Sequence, residues 1–326
     1  MKIELSVLDL MMIGEERRFL DTIEGAKMLA QAVESFGYKR YWVAEHHDMP
    51  GIGSSATTLL MQYLAAATSK IRIGSGGVML PNHAPLIVAE QFATLDTMFP
   101  QRIDFGVGRA PGGAGPAIRA IRGKNLERDF GQDLKEISDY LADNCQQAAR
   151  GIREPHEVPV YILGSSLNSA EYAAKHGLPY VFASHFAPRF LMDAIQLYRK
   201  LFQPSPTLEK PYVIAGVNII AADTPEEATL IASSHQKWVV QLYTGNAGLL
   251  PKPEPDYFKN TTANEKAILA EAMACTAIGD KSNVKDWLES FLQLTKVDEL
   301  IIDARIYDPL SRCKSYQIAK EAVKAL

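Results

Sequence analysis

Eight short apolar runs recur along this chain, and a helical pattern follows each of them. This alternation restricts the fold more than any other feature, because strands joined through helices run parallel and need cover on both faces. The strands are predicted over residues 3–10, 39–44, 71–79, 102–107, 158–163, 179–183, 212–221 and 299–304. Helices are predicted over 21–36, 57–68, 132–147, 169–176, 188–202, 225–238, 265–273 and 282–294, with one more opening at Pro85. Asp21 and Glu24 fit a capping box and Gly37 a helix stop, while Pro85 suits a first helical turn. Eight strand–helix units close most simply into an α/β (β/α)8 TIM barrel, and 326 residues suit one such domain over 1–326. Two insertions interrupt the rhythm. The glycine-rich run 110–131 is expected to be an active-site loop, and the proline-rich stretch 249–256 an exposed excursion.

Charge excludes some functions. The 34 basic and 38 acidic residues are interspersed, so no basic stripe offers a nucleic-acid surface. No run approaches the ~18 apolar residues of a membrane helix. The first strand starts almost at once, leaving no signal peptide. Cys145, Cys275 and Cys313 are scattered and odd in number, which argues against a disulfide framework. The expected location is the cytoplasm.

In an α/β barrel the chemistry sits at the C-terminal ends of the strands. The second strand ends in Glu45-His46-His47-Asp48, and neighbouring strand residues face opposite ways. One histidine therefore faces the pocket and the other packs outward. The pair is open to three readings: a zinc site, two structurally bonded histidines, or a His46 that contacts cofactor or substrate. No His-x-His or second acidic strand end completes a ligand set, so no metal ligand is assigned. Gly74-Ser75-Gly76-Gly77 marks either a β-bulge or backbone lying against a flat ring. Arg109, after Gly106-Val107-Gly108, is either a phosphate fork or a solvated cation. Gly164-Ser165-Ser166-Leu167-Asn168-Ser169 reads as an anion site at a helix N-terminus or as ordinary capping. His185 and Phe186 end the sixth strand, where they could line the mouth; His83 is similarly placed. His156, His176 and His235 are read as loop or helix-surface residues without a role. The Gly106-Val107-Gly108 turn lacks the third glycine and distal acid of a dinucleotide fingerprint.

Taken together these segments resemble the luciferase-like flavin monooxygenases. The resemblance rests on residues 41–47, 74–85, 102–109, 171–179, 276–280 and 298–300, and spans nearly the whole chain. It implies a bacterial luciferase-like barrel that uses FMN, reduced by a separate flavin reductase, and O2. A small organic substrate would be oxidised through an oxygen adduct at flavin C4a. Gly76 and Gly77 correspond to a non-proline cis peptide under the flavin. Arg109, Ser165, Ser166 and Ser169 correspond to phosphate ligands, with the strand ends Leu163 and Ala183 completing the cofactor set. His46 corresponds to the family's catalytic histidine, expected to act as a general acid/base titrating near neutrality. Trp42, Met79 and Phe186 would wall the pocket. A homodimer is expected. Two departures matter: the acidic residue of the family's phosphate loop is Ser165 here, and the luciferase reactive-site cysteine is Gly108. Light emission is therefore not implied. The alternatives are a non-catalytic FMN-binding relative, an F420-dependent oxidoreductase, and a metal-dependent barrel hydrolase built on His46 and His47.

Overall fold

Runs of β-branched and aromatic residues become strands buried on both faces, as a parallel sheet under helices requires. The computed structural model describes residues 3–123, 128–142, 147–149 and 154–326. Its strands are β1 (Glu4–Asp9), β2 (Arg40–Val43), β3 (Arg72–Ser75), β4 (Val78–Met79), β5 (Ile103–Gly108), β6 (Val160–Gly164), β7 (Tyr180–Phe182), β8 (Val213–Ala221), β9 (Thr276–Gly279) and β10 (Glu299–Asp303). Helices α1 (Phe19–Phe36), α2 (Thr57–Ala67), α3 (Pro85–Met98), α4 (Gly115–Arg122), α5 (Phe130–Leu141) and α6 (Leu167–Lys175) belong to the first half. The second half carries α7 (Leu191–Leu201), α8 (Pro225–Tyr243), α9 (Tyr257–Asn260), α10 (Ala263–Ala272), α11 (Lys281–Thr295) and α12 (Pro309–Lys324).

The eight-membered ring runs β1-β2-β3-β5-β6-β7-β8-β10 and is parallel throughout. β10 closes it, pairing Glu299–Asp303 with Ile214–Asn218 on one side and Glu299–Ile302 with Glu4–Val7 on the other. The chain is a TIM barrel, as the strand–helix rhythm predicts. The predicted strand 71–79 is broken in two: the Gly76–Gly77 peptide is cis, and β4 resumes the pairing with β5 beyond it. β9 is an addition that the sequence reading did not include. It pairs with the far half of β8, from Asn218 to Ala221, sharing only Asn218 with the part of β8 that pairs with β10.

Alternation along the strands sorts their side chains into two apolar layers. Tyr41 and Val43 face the helices, whereas Leu8, Trp42, Tyr161, Ile214 and Ile301 fill the barrel interior. At the N-terminal end the interior is polar and closed. Arg40 donates from Nε and Nη2 to Glu299 (2.8 and 3.1 Å) and from Nη1 to Asp104 and Tyr161 (both 2.7 Å). All three charged side chains are buried. Each charge has lost its water and is held by its partners, so ligand entry is left to the opposite, C-terminal end.

Smaller expectations are adjusted. Helix α1 starts earlier than predicted: Arg18 is the N-cap, and Asp21 sits at the third helical position, its carboxylate accepting from the Arg18 N–H. Gly37 stops the helix in the left-handed region (φ 79°), and Pro85 opens α3. The run 110–131 carries α4, and its residues 124–127 lie outside the described set, as do residues 143–146 of the helix predicted to end at 147, Cys145 included. The stretch 249–256 is exposed only in part. Leu250 is buried and exchanges backbone hydrogen bonds with Ile13 and Glu15 (2.8 and 2.9 Å). Among the described residues no helix is long and apolar enough to cross a membrane.

Candidate active site

The ends of β1 to β7 and of β10 converge on one mouth, where a cavity of about 470 Å³ opens. His46 follows β2, Gly76 and Gly77 separate β3 from β4, and Arg109 follows β5. Leu163 is the penultimate residue of β6, Ser165, Ser166 and Ser169 lead into and begin α6, and Ala183 follows β7. All nine candidate residues line this one cavity.

Its floor requires glycine. A Cβ on Gly76 would stand 2.5 Å from Leu8 Cδ1, and one on Gly77 would stand 2.9 Å from the Gly106 carbonyl oxygen. The Gly76 N–H donates to Val43 O at 2.7 Å, which ties the cis segment to β2. A side chain here would displace the sheet, so bare backbone faces the cavity.

One pole is built for an anion. Ser166 is the N-cap of α6 with extended backbone, and its hydroxyl makes no capping bond. The first-turn N–H groups and the helix dipole favour negative charge at that point. Arg109 is exposed, and among the described residues it makes no ion pair or hydrogen bond. Ser169 differs from the other two serines: it is buried, and its hydroxyl donates to Ser166 O at 2.7 Å. It packs over Gly164, whose missing side chain makes room for it.

The other pole holds His46. Strand alternation turns it inward and His47 outward, as expected. His47 Nε2 lies 2.9 Å from Glu45 Oε1, and His83 Nε2 shares that carboxylate at 2.8 and 3.0 Å. The Met79 N–H donates to Glu45 Oε2 at 3.0 Å. Burial opposes ionisation of Glu45, but the two imidazoles and the amide hold its carboxyl below the usual range. Glu45, His47 and His83 thus pin the turn after β4 and leave His46 alone. Its Nδ1 is buried without a partner. Burial, and next the charge of Arg305, pull its pKa down to about 4, so the expected titration near neutrality is corrected to an imidazole that stays uncharged there.

The glycine-rich run folds over this edge. Gly112 O accepts from the His47 N–H (2.7 Å), and Asn82 joins Pro111 O (2.8 Å) to the Arg122 guanidinium (2.9 Å). Met79 and Phe186 line the cavity, but Trp42 does not; it lies beneath the floor, its indole N–H donating to Asp104 at 3.0 Å.

Two residues escaped the sequence reading. Arg305, two residues past β10, lines the cavity and is 3% exposed. The polar Asp303-Ala304-Arg305 ending of an apolar strand follows the same grammar as Glu45-His46 and was a usable signal. His235 was placed on a helix surface, yet it is fully buried in α8; burial and Arg305 lower it to about 3, and His185 likewise to about 4, with burial the main cause. Of the other histidines, His156 bonds Asp96 (3.0 Å) and His176 is exposed. Among the described residues no group of three His, Cys, Asp or Glu could hold a metal ion.

Comparison with known proteins bears on this arrangement. The family model for luciferase-like monooxygenases matches residues 5–299. A luciferase-like monooxygenase of Escherichia coli (strain K12) is 42% identical over 329 residues, covering 99% of this chain and 98% of that protein. The crystal structure of apo-MsnO8 superposes with a TM-score of 0.88 at 31% identity, over 100% of this chain and 99% of that one. The oxygenating constituent of 3,6-diketocamphane monooxygenase from Pseudomonas putida, solved in complex with FMN, shares the fold with a TM-score of 0.77. Its identity is 15%, over 99% of this chain and 98% of its own.

Proposed function

The chain belongs to the luciferase-like monooxygenases, a family of flavin-dependent oxidoreductases, and on that footing we propose that it is an FMN-dependent monooxygenase acting on a small organic substrate with O2. The observation that carries this reading is the convergence of a bare-backbone floor, an anion pole and an uncharged histidine in one cavity. The size and lining suit FMN. A flat ring system can lie against Gly76–Gly77, and a phosphate can reach Arg109, Ser165, Ser166 and the first turn of α6. FMN in the solved 3,6-diketocamphane monooxygenase constituent supports the same cofactor here.

Bound reduced FMN supplies the electrons with which O2 is activated. The chain's own residues bind, orient and shield. Arg109 and the two serines hold the phosphate, with Ser169 bracing the loop from below. Leu163 in β6 and Ala183 just past β7 line the cavity and would contact the cofactor. The apolar walls, Met79 among them, exclude water. His46, uncharged at neutral pH, accepts a proton or donates one hydrogen bond at the reacting centre and does not act as an imidazolium acid. The reading includes one domain over the whole chain, a separate flavin reductase, a homodimer and a cytoplasmic setting.

The test is isotopic. The protein, FMN, a flavin reductase and 18O2 are incubated with a panel of small aldehydes, ketones and sulfides. Label in a product supports the monooxygenase. Tight FMN binding with reduced flavin reoxidised at the rate of free flavin, and no labelled product, would instead leave a flavin-binding protein.

A further inference from the structure

The cavity contains a second cation that the cofactor reading does not use. β10 stands four places round the eight-strand ring from β5, so Arg305 enters the mouth from the side opposite Arg109. Its guanidinium is nearly fixed. The Nε–H donates to Asp303 at 2.7 Å, and the plane lies over the Trp238 indole with Cζ 4.6 Å from the ring centroid. Asp303 accepts from Nε alone, one of the five N–H donors, and among the described residues the terminal Nη groups of this cavity-lining side chain make no hydrogen bond. Asp303 is buried behind the guanidinium, which keeps its carboxyl ionised in spite of burial. The imidazoles nearest in charge, His46, His185 and His235, contribute no negative charge. The Asp303 contact leaves the terminal fork free, and that fork matches a carboxylate in two parallel bonds. The neighbouring lining is apolar, with Leu8 in the adjacent β1, Leu10 just after it and Ile301 in β10 itself.

We propose that Arg305 anchors a carboxylate of the substrate, so that the cavity takes small organic acids whose reacting end is apolar. This rests on the flavin reading for the placement of the reacting end, since the phosphate of FMN occupies the opposite pole. The alternative partner for Arg305 is the flavin ring itself, and the test separates the two.

FMN-loaded protein is titrated with hexanoate, hexanamide and hexanesulfonate, followed by the perturbation of the flavin spectrum. Hexanoate should bind at least about tenfold more tightly than hexanamide, the difference expected of one charge-assisted contact. Arg305→Met should abolish that difference while changing FMN affinity by less than about threefold. Arg305→Lys, which keeps the charge but loses the fork, should retain only part of it. Equal binding of acid and amide by the wild-type protein overturns the proposal, and so does tighter binding of the sulfonate. A preference that survives in Arg305→Met overturns it, as does a loss of FMN affinity with the preference intact. Should Arg305→Met fail to fold, the wild-type and Arg305→Lys titrations decide. The same three ligands are also tested by thermal shift on FMN-free protein. If FMN does not bind, the cofactor reading fails, while the acid–amide comparison still judges Arg305.

Discussion

His46 and His47 are adjacent in sequence and opposite in the barrel wall, and their fates differ accordingly. His47 joins His83 on the Glu45 carboxylate, whereas His46 faces the cavity with an unpartnered nitrogen. His46→Ala should leave FMN affinity nearly unchanged and lower turnover at least about tenfold, within the range of a lost acid/base group. Steady-state oxygen uptake beside an FMN titration checks both halves, and unchanged turnover would remove His46 from the chemistry. At this scale the sequence was legible wherever a polar residue ended a strand, because alternation fixes which way it points. It was less legible where a partner decides the role. Ser169 reads like Ser165 and Ser166, yet its hydroxyl is committed to Ser166 O. His235 lies in a stretch of α8, residues 231–236, that is buried on every side, so a one-face periodicity gives no hint of its burial.

Among the elements, β3, β4 and β5 form the floor as a unit. Ser75 Oγ donates to Gly106 O at 2.7 Å, and a Cβ on Gly106 would stand 2.1 Å from Ser75 O. That obstacle is backbone and cannot rotate away. Gly106→Ala should therefore destabilise the protein by about 1–3 kcal/mol, the usual cost of overpacking, and weaken FMN binding with it. Denaturant unfolding with and without FMN measures both; wild-type stability would show that the strands can separate at no cost. The glycines in the strand pattern at 71–79 signalled an irregularity, and the structure makes it a break between two strands. β9 went unread because a four-residue strand joined only to the far end of β8 leaves no amphipathic pattern of its own.

The molecule as a whole separates a sealed base from an open mouth. Arg40, Asp104 and Glu299 close the base through hydrogen bonds between buried charges, whereas His46 and His185 line the cavity and His235 is buried in α8, all three uncharged. The histidines make stability depend on pH. Their native pKa values of about 4, 4 and 3 lie below the unfolded value of 6.5, so between these limits the unfolded chain binds more protons. The stability they contribute is whole above the unfolded pKa and lost as pH falls toward the native values. Each histidine costs about 1.4 kcal/mol per pH unit across most of that window. Unfolding at pH 5 should thus take up roughly three protons more than at pH 8, measurable from the pH dependence of the denaturation free energy. A flat profile from pH 7 to 5 would mean that these histidines are solvated. The barrel itself was legible because its rhythm is long-range and repeated eight times. The sealed base was not, since nothing in a single strand says which buried charges will meet across the ring.

The account depends most on FMN occupying the cavity with its phosphate at the pole formed by Arg109 and α6. FMN titration into ligand-free wild-type protein and Arg109→Ala, followed by quenching of flavin fluorescence, tests this directly. The wild type should bind at micromolar concentration or tighter, and Arg109→Ala should bind about tenfold or more weakly, the lower part of the about 1.5–3 kcal/mol for a charged hydrogen bond because the site is open to solvent. Equal affinity in the two proteins, or binding of F420 in place of FMN, would contradict it.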